Sequence, residues 1–143
     1  MKKIIILCVI ALSTQFTFAQ SPEFKADALA YVKSTGIEAQ IQQMKQSIES
    51  YILSENKEAF DMEFNAAIQT FMNDFAQLIT ENFSENDVKN AIEQYKSTNE
   101  FAGLPTVANE AEVNTKIQEL QNKMLMDFQN IVMKYGDPQL FNQ

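Results

Sequence analysis

Between Lys57 and Glu81 the large apolar residues are Phe60, Phe64, Ile68, Phe71, Phe75, Leu78 and Ile79, separated almost throughout by three or four positions. That spacing follows the 3.6-residue turn of an α-helix and has nothing of the two-residue alternation of a strand. A helix of this span runs on the order of 37 Å, so the rest of the domain has to be laid along it. Four phenylalanines on one stripe need a covering surface. A chain that supplies further stripes of the same period is thereby limited to a helical bundle.

The chain supplies them. Ser21-Pro22 reads as a cap followed by a first-turn proline, and Phe24, Ala28, Leu29 and Val32 give a short amphipathic helix ending near Gly36. Ile37, Ile41, Met44, Ile48 and Ile52 mark a second helix with glutamines and lysines over its other face. Ser54 or Asn56 is placed to cap the third. In the fourth, Ser84 is the predicted N-cap, and Asp87 can reach back to it while facing the positive end of the helix dipole. Phe83 and Val88 have the spacing of a hydrophobic staple, and Val88, Ile92 and Tyr95 share a face.

Asn99 to Pro105, with Gly103 close to Pro105, reads as a loop. Asn109 and Glu112 form a predicted capping pair for a fifth helix, whose face is Ile117, Leu120, Met124, Phe128, Ile131 and Tyr135, widened by Leu125 and Val132. Gly136-Asp137-Pro138 is its stop. The expectation is an all-α fold: an antiparallel bundle of about five helices, three long and two short, over residues 20–138, with a frayed tail at 139–143. Short connections predict that neighbours in sequence pack together.

Lys2 and Lys3 precede the apolar run Ile4 to Leu12, and Thr17 and Ala19 stand at the minus-three and minus-one positions of a cleavage site after Ala19. This is the pattern of a secretory signal at 1–19, and the run is too short for a bilayer span of roughly 20 apolar residues. Cys8 lies inside the run behind Leu7, which disfavours a lipidated cysteine. Cleavage removes two lysines and no acid, moving the formal charge of −8 two units further negative. It also removes the one cysteine, so burial rather than disulfides has to stabilise the mature domain.

Composition excludes several classes of function. An acidic chain repels nucleic-acid phosphates and anionic membrane surfaces. With no histidine, and no cysteine after cleavage, there is no zinc site of the usual ligands, no histidine-based triad and no thiol nucleophile. The Glu-x-x-His pairs of di-iron bundles are absent, and Gly36, Gly103 and Gly136 are too scattered for a phosphate loop. No cofactor is implied.

An aromatic, a serine cap, an acidic pair and an aliphatic face ending in Tyr-x-Ser occur as Phe83, Ser84, Glu85, Asp87, Val88, Ile92, Tyr95 and Ser97. In this the chain resembles the domain of unknown function 2059 family, loosely from about Ile37 to Ile131. The resemblance implies a secreted or periplasmic helical domain and brings no catalytic residues. The chain departs from the family pattern at Gln94, where an aromatic is usual, and at Glu100, where a glycine is.

Three sets of residues invite functional readings. The rings of Phe71, Phe75, Tyr95, Phe101 and Phe128, with Ser97, are the candidate surface for a protein partner or an apolar small ligand, although rings at helical spacing more often fill a core. Met124, Met126 and Met133 are candidates for an adaptable contact surface, with Met124 explained by packing. Glu81, Glu85, Asp87 and Glu93 crowd one junction, but the alternating oxygen ligands and central glycine of a calcium loop are missing. The leading expectation is an exported helical binding module of the cell envelope without catalytic machinery. The alternatives are a carboxylate-based hydrolase or divalent-metal enzyme, and a structural oligomer. A functional end of the family-like stretch is expected between Tyr95 and Pro105.

Overall fold

The computed structural model describes residues 21–101, 103 and 105–138. The expected signal segment at 1–19 and tail at 139–143 lie outside the described residues. The fold is all-helical: α1 (Pro22–Ser34), α2 (Ile37–Ile48), α3 (Lys57–Asn82), α4 (Glu85–Thr98) and α5 (Glu110–Tyr135). The α3 and α5 helices have 26 residues each. All seven residues of the α3 stripe are buried, as their period requires.

Local chemistry sets the helix starts. The Ser21 hydroxyl accepts from the Phe24 amide at 3.0 Å, and the Ser84 hydroxyl accepts from the Asp87 amide at 3.2 Å. Ser84 in turn donates to the Asp87 carboxylate at 2.7 Å, closing a reciprocal cap. Phe83 and Val88 are both buried beside it. Asn56 and Asn109 occupy cap positions but make no side-chain cap bond. The Asn56 amide instead donates to the Tyr135 carbonyl at 3.2 Å, tying the start of α3 to the end of α5.

The second helix is shorter than its apolar spacing predicts, so the bundle has two long helices and three short ones. After Ile48 the chain tightens into a 3₁₀ turn at Glu49–Tyr51, and Ile52 is extended, with φ −90° and ψ 131°. Ile52 is drawn out because it forms an antiparallel bridge with Gly136. Around it the Leu53 amide donates to the Tyr135 carbonyl at 3.3 Å and the Asp137 amide to the Tyr51 carbonyl at 2.9 Å. Gly136 accordingly ends α5 in an extended conformation, φ −75° and ψ 165°, not in a left-handed cap. The α2 helix carries a second surprise: Lys45 is buried, its ammonium 2.6 Å from the Asp61 carboxylate and 3.4 Å from the Asn65 side-chain oxygen. Its position, four after Ile41 and three before Ile48, puts it on the apolar side.

The helices do not pack mainly in chain order. The α3 helix lies between α1 and α5, and α1 also covers α4, giving a spatial row α4–α1–α3–α5. The α3/α5 pair is antiparallel, since Glu63 meets Lys134 while Asp74 meets Lys123. Phe64 is the centre of the core, stacked on Phe128 at 4.3 Å and tilted against Phe60 at 5.2 Å. Because α4 and α5 sit at opposite ends of the row, the connector from Asn99 to Asn109 has to cross the bundle. Tyr31 on α1 pins it on the way. The Tyr31 hydroxyl donates to the Gly103 carbonyl at 2.5 Å, and its ring lies 5.5 Å from that of Phe101.

Candidate functional site

Beside its buried stripe α3 presents the small residues Ala59, Ala66, Ala67 and Thr70, while α5 brings the long side chains of Lys116, Lys123 and Lys134, with Asp127, to the same edge. Small residues on one helix opposite long ones on the other leave a trough along the α3/α5 seam. One lobe, of about 380 Å³, lies over Ala66, Ala67 and Thr70 between Glu63 and Lys134. It continues past Glu63 into a lobe of about 360 Å³ lined by Ala59, Met62 and Tyr135. At the other end, Gln77, Leu78, Glu81 and Lys116 enclose about 280 Å³. Where Lys123 crosses toward α3 the trough narrows to about 10 Å³. From Ala59 to Glu81 it follows α3 for roughly 33 Å.

Ion pairs bridge the trough. Glu63 Oε2 takes the Lys134 ammonium at 2.6 Å and the Tyr135 hydroxyl at 2.6 Å. The Lys134 hydrogen bond, then that of Tyr135, holds the Glu63 carboxyl below its ordinary range, and Glu63 pushes Lys134 up. The Lys134 ammonium also lies 4.8 Å from the centre of the Tyr135 ring. Lys123 spans Asp74 at 3.3 Å and Asp127 at 4.0 Å. Lys116 holds Glu112 at 2.7 Å and lowers its carboxyl.

A carboxyl that donates a proton near neutral pH needs burial or a like charge to raise it. The two acids that are displaced, Glu63 and Glu112, move down. Among the described residues no group of three acids, histidines or cysteines converges as a metal site would. Three of the four acids at the α3/α4 junction have local partners: Glu81 accepts from Gln77 at 2.8 Å, Glu85 pairs with Lys89 at 2.7 Å, and Asp87 belongs to the Ser84 cap.

The six residues of the candidate surface separate into two groups. Phe71, Phe75 and Phe128 are buried, with Phe71 and Phe75 tilted at 5.9 Å and Phe128 stacked on Phe64, so they are core and present no surface. The correction has a simple cause: Phe71 and Phe75 lie on the stripe of α3, which is packed between α1 and α5, and Phe128 on α5 meets Phe64 of that same stripe. Tyr95 is half-buried, Ser97 is exposed, and Phe101 is 42% exposed at the end of α4 and the start of the connector. The Ser97 hydroxyl donates to the Gln94 carbonyl at 2.8 Å, an ordinary intrahelical bond. Sequence reasoning missed the trough. The step from Ala59 through Glu63 and Ala66 to Thr70 was visible as a face, but nothing in it told a solvent-facing side from the edge that meets α5.

No family model, no curated protein and no solved structure matches the chain. The likeness carried by Phe83 to Ser97 therefore rests on those residues alone.

Proposed function

We propose that the protein is an exported binding module of the cell envelope, without catalytic machinery, that receives a helical segment of a partner protein in the α3/α5 trough. The observation that carries this reading is the trough itself: two adjoining lobes over Ala59, Ala66, Ala67 and Thr70 on one side of the Lys123 crossing, and a third over Gln77 and Leu78 on the other. A floor of small residues lets a third backbone come close, and the open stretch from Ala59 to Thr70, about three helical turns of α3, fits a short helical segment better than a compact ligand. The rims offer both signs of charge, so a partner helix with flanking Lys and Glu can exchange pairs with them. Export rests on the segment Met1 to Ala19, and the resemblance at Phe83 to Ser97 points the same way. Among the described residues no helix is long and apolar enough to cross a membrane.

The test is site-specific photocrosslinking in the cells that make the protein. A photoreactive side chain at Thr70, exposed in the trough, is expected to give a discrete protein adduct, and one at Gln46, exposed on α2, is not. Equal labelling at both sites, or none at Thr70, removes the trough from the reading. Turnover of an ester, glycan or peptide by the purified protein, abolished by changing one acid, would replace the module with an enzyme.

A further inference from the structure

The α2 helix is attached to the bundle differently from the rest. Every other α-helix buries at least two apolar residues, whereas α2 buries one, Ile41, and with it Lys45. Ile37, Met44 and Ile48 are only half-buried. One turn after Ile41 the Lys45 ammonium meets Asp61 at 2.6 Å, donates to the Asn65 side-chain oxygen at 3.4 Å and lies 6.0 Å from the centre of the Phe60 ring. The Asp61 oxygen it meets, Oδ1, is buried and accepts no aligned hydrogen bond among the described residues, so charge holds the pair. The Lys45 side chain is 9% exposed and that of Asp61 47%, which sets the pair at a seam that water reaches from one side. Both ends of α2 can turn while staying tied. Gly36 opens it at φ 75°, a left-handed conformation with open space around it, and the 3₁₀ turn at Glu49–Tyr51 that follows buries no residue. Beyond that turn Ile52 is fixed by its bridge to Gly136.

We infer that α2 is a flap with the Lys45–Asp61 pair as its latch: residues 36–51 swing off α3 as one unit while α1, α3, α4 and α5 stay folded. A segment leaves a fold ahead of the rest when few apolar contacts hold it. A helix held by apolar packing alone recovers nothing from water when it leaves. Here leaving rehydrates an ammonium and a carboxylate, which offsets much of the attraction lost, so the ion pair is a weaker latch than apolar packing of the same size. The Ile52 bridge at one end and Thr35, bonded to the Val32 carbonyl of α1 at the other, keep the open flap attached and let it return. Opening bares Ile41 with the apolar side of α2, and the edge of Phe60 that Lys45 overlies. Asp61 and Asn65 line no part of the trough, so the flap is separate from the binding reading and does not rest on it.

The experiment is native-state hydrogen exchange read by mass spectrometry, in low concentrations of urea, on protein expressed from the full sequence and purified as the cell processes it. In the wild type the amides of residues 40–48 are expected to exchange through an opening that barely responds to urea, and those of residues 64–79 in α3 only through one that exposes the whole core. Asp61→Asn leaves the ammonium without its counter-charge, so the α2 amides are expected to exchange roughly tenfold or more faster. Lys45→Met puts an apolar side chain of similar length in place of the charge and leaves behind a carboxylate that is half exposed, so they are expected to exchange roughly three- to tenfold slower. Lys96→Met, on exposed α4, is expected to leave α2 as it is. Wild-type α2 amides as protected as those of α3, or with the same urea response, overturn the inference. So does a shift of α2 in the same direction in both latch variants, or in neither. If Asp61→Asn does not fold, Lys45→Met decides alone: slower exchange of α2 supports the latch and faster exchange overturns it. Crosslinking at Thr70 is independent of all of these results.

Discussion

Tyr31 offers a test in which geometry and titration make linked demands. Its side chain is 1% exposed, its hydroxyl donates to the Gly103 carbonyl across 72 positions of sequence, and loss of hydration on burial pushes its pKa up to about 12. Tyr31→Phe keeps the ring and deletes the hydroxyl. At neutral pH the residue is uncharged in both folded and unfolded states, so the cost is that of one hydrogen bond and a half-buried carbonyl left without its donor, about 1 kcal/mol.

At alkaline pH the sign reverses. The unfolded chain gives up the tyrosine proton near pH 10, while the folded protein keeps it until about pH 12. A raised folded pKa contributes stability that is complete below the unfolded value and is lost as pH rises through the folded one. Two pH units at about 1.36 kcal/mol each make that loss on the order of 2–3 kcal/mol. The phenylalanine variant has no such loss. Urea unfolding across this range is therefore expected to show the wild type ahead by about 1 kcal/mol near pH 8 and behind by 1–2 kcal/mol near pH 12. Lysines and the other tyrosines titrate in both proteins and cancel in the difference. Two curves that run parallel from pH 8 to pH 12 would refute the buried, donor-bonded hydroxyl. Native-state hydrogen exchange supplies a second reading: amides between Asn99 and Val107 should open faster in the variant while those of α3 do not.

Two further outcomes follow from packing and capping. Replacing Phe64 and Phe128 by Leu, singly and together, should give a double-mutant coupling of about 0.5–1.5 kcal/mol, because their rings stack at 4.3 Å; additive melting shifts would deny the stack. Ser84→Ala should lower stability by about 1 kcal/mol and Ser84→Thr by much less, since threonine keeps a hydroxyl to accept from the Asp87 amide and alanine does not; chemical denaturation decides it.

The fold was readable wherever a few adjacent residues decide the outcome. The α3 stripe, the reciprocal cap at Ser84 and Asp87, the buried pair Phe83 and Val88, and the connector after Thr98 are all local, and all are found. Where a distant segment decides, local pattern misleads. Ile52 continues the α2 spacing in sequence, yet Gly136 draws it into a bridge. Lys45 reads as a solvent-facing charge until Asp61 and Asn65 on α3 are brought to it. Phe71, Phe75 and Phe128 read equally as ligand rings or as core, because periodicity says which side is apolar and not what covers it. The order α4–α1–α3–α5 is of the same kind, since apolar stripes of similar width do not specify their partners.

The walls of the trough arise from one packing event. When α5 lies antiparallel on α3, Lys123 and Lys134 reach Asp74 and Glu63, and Lys116 lies on the same flank holding Glu112. Those lysines wall the trough above the alanines of α3. The floor and the walls thus belong to different helices, so a substitution at Thr70 on α3 alters the floor while the lysine walls on α5 stay in place.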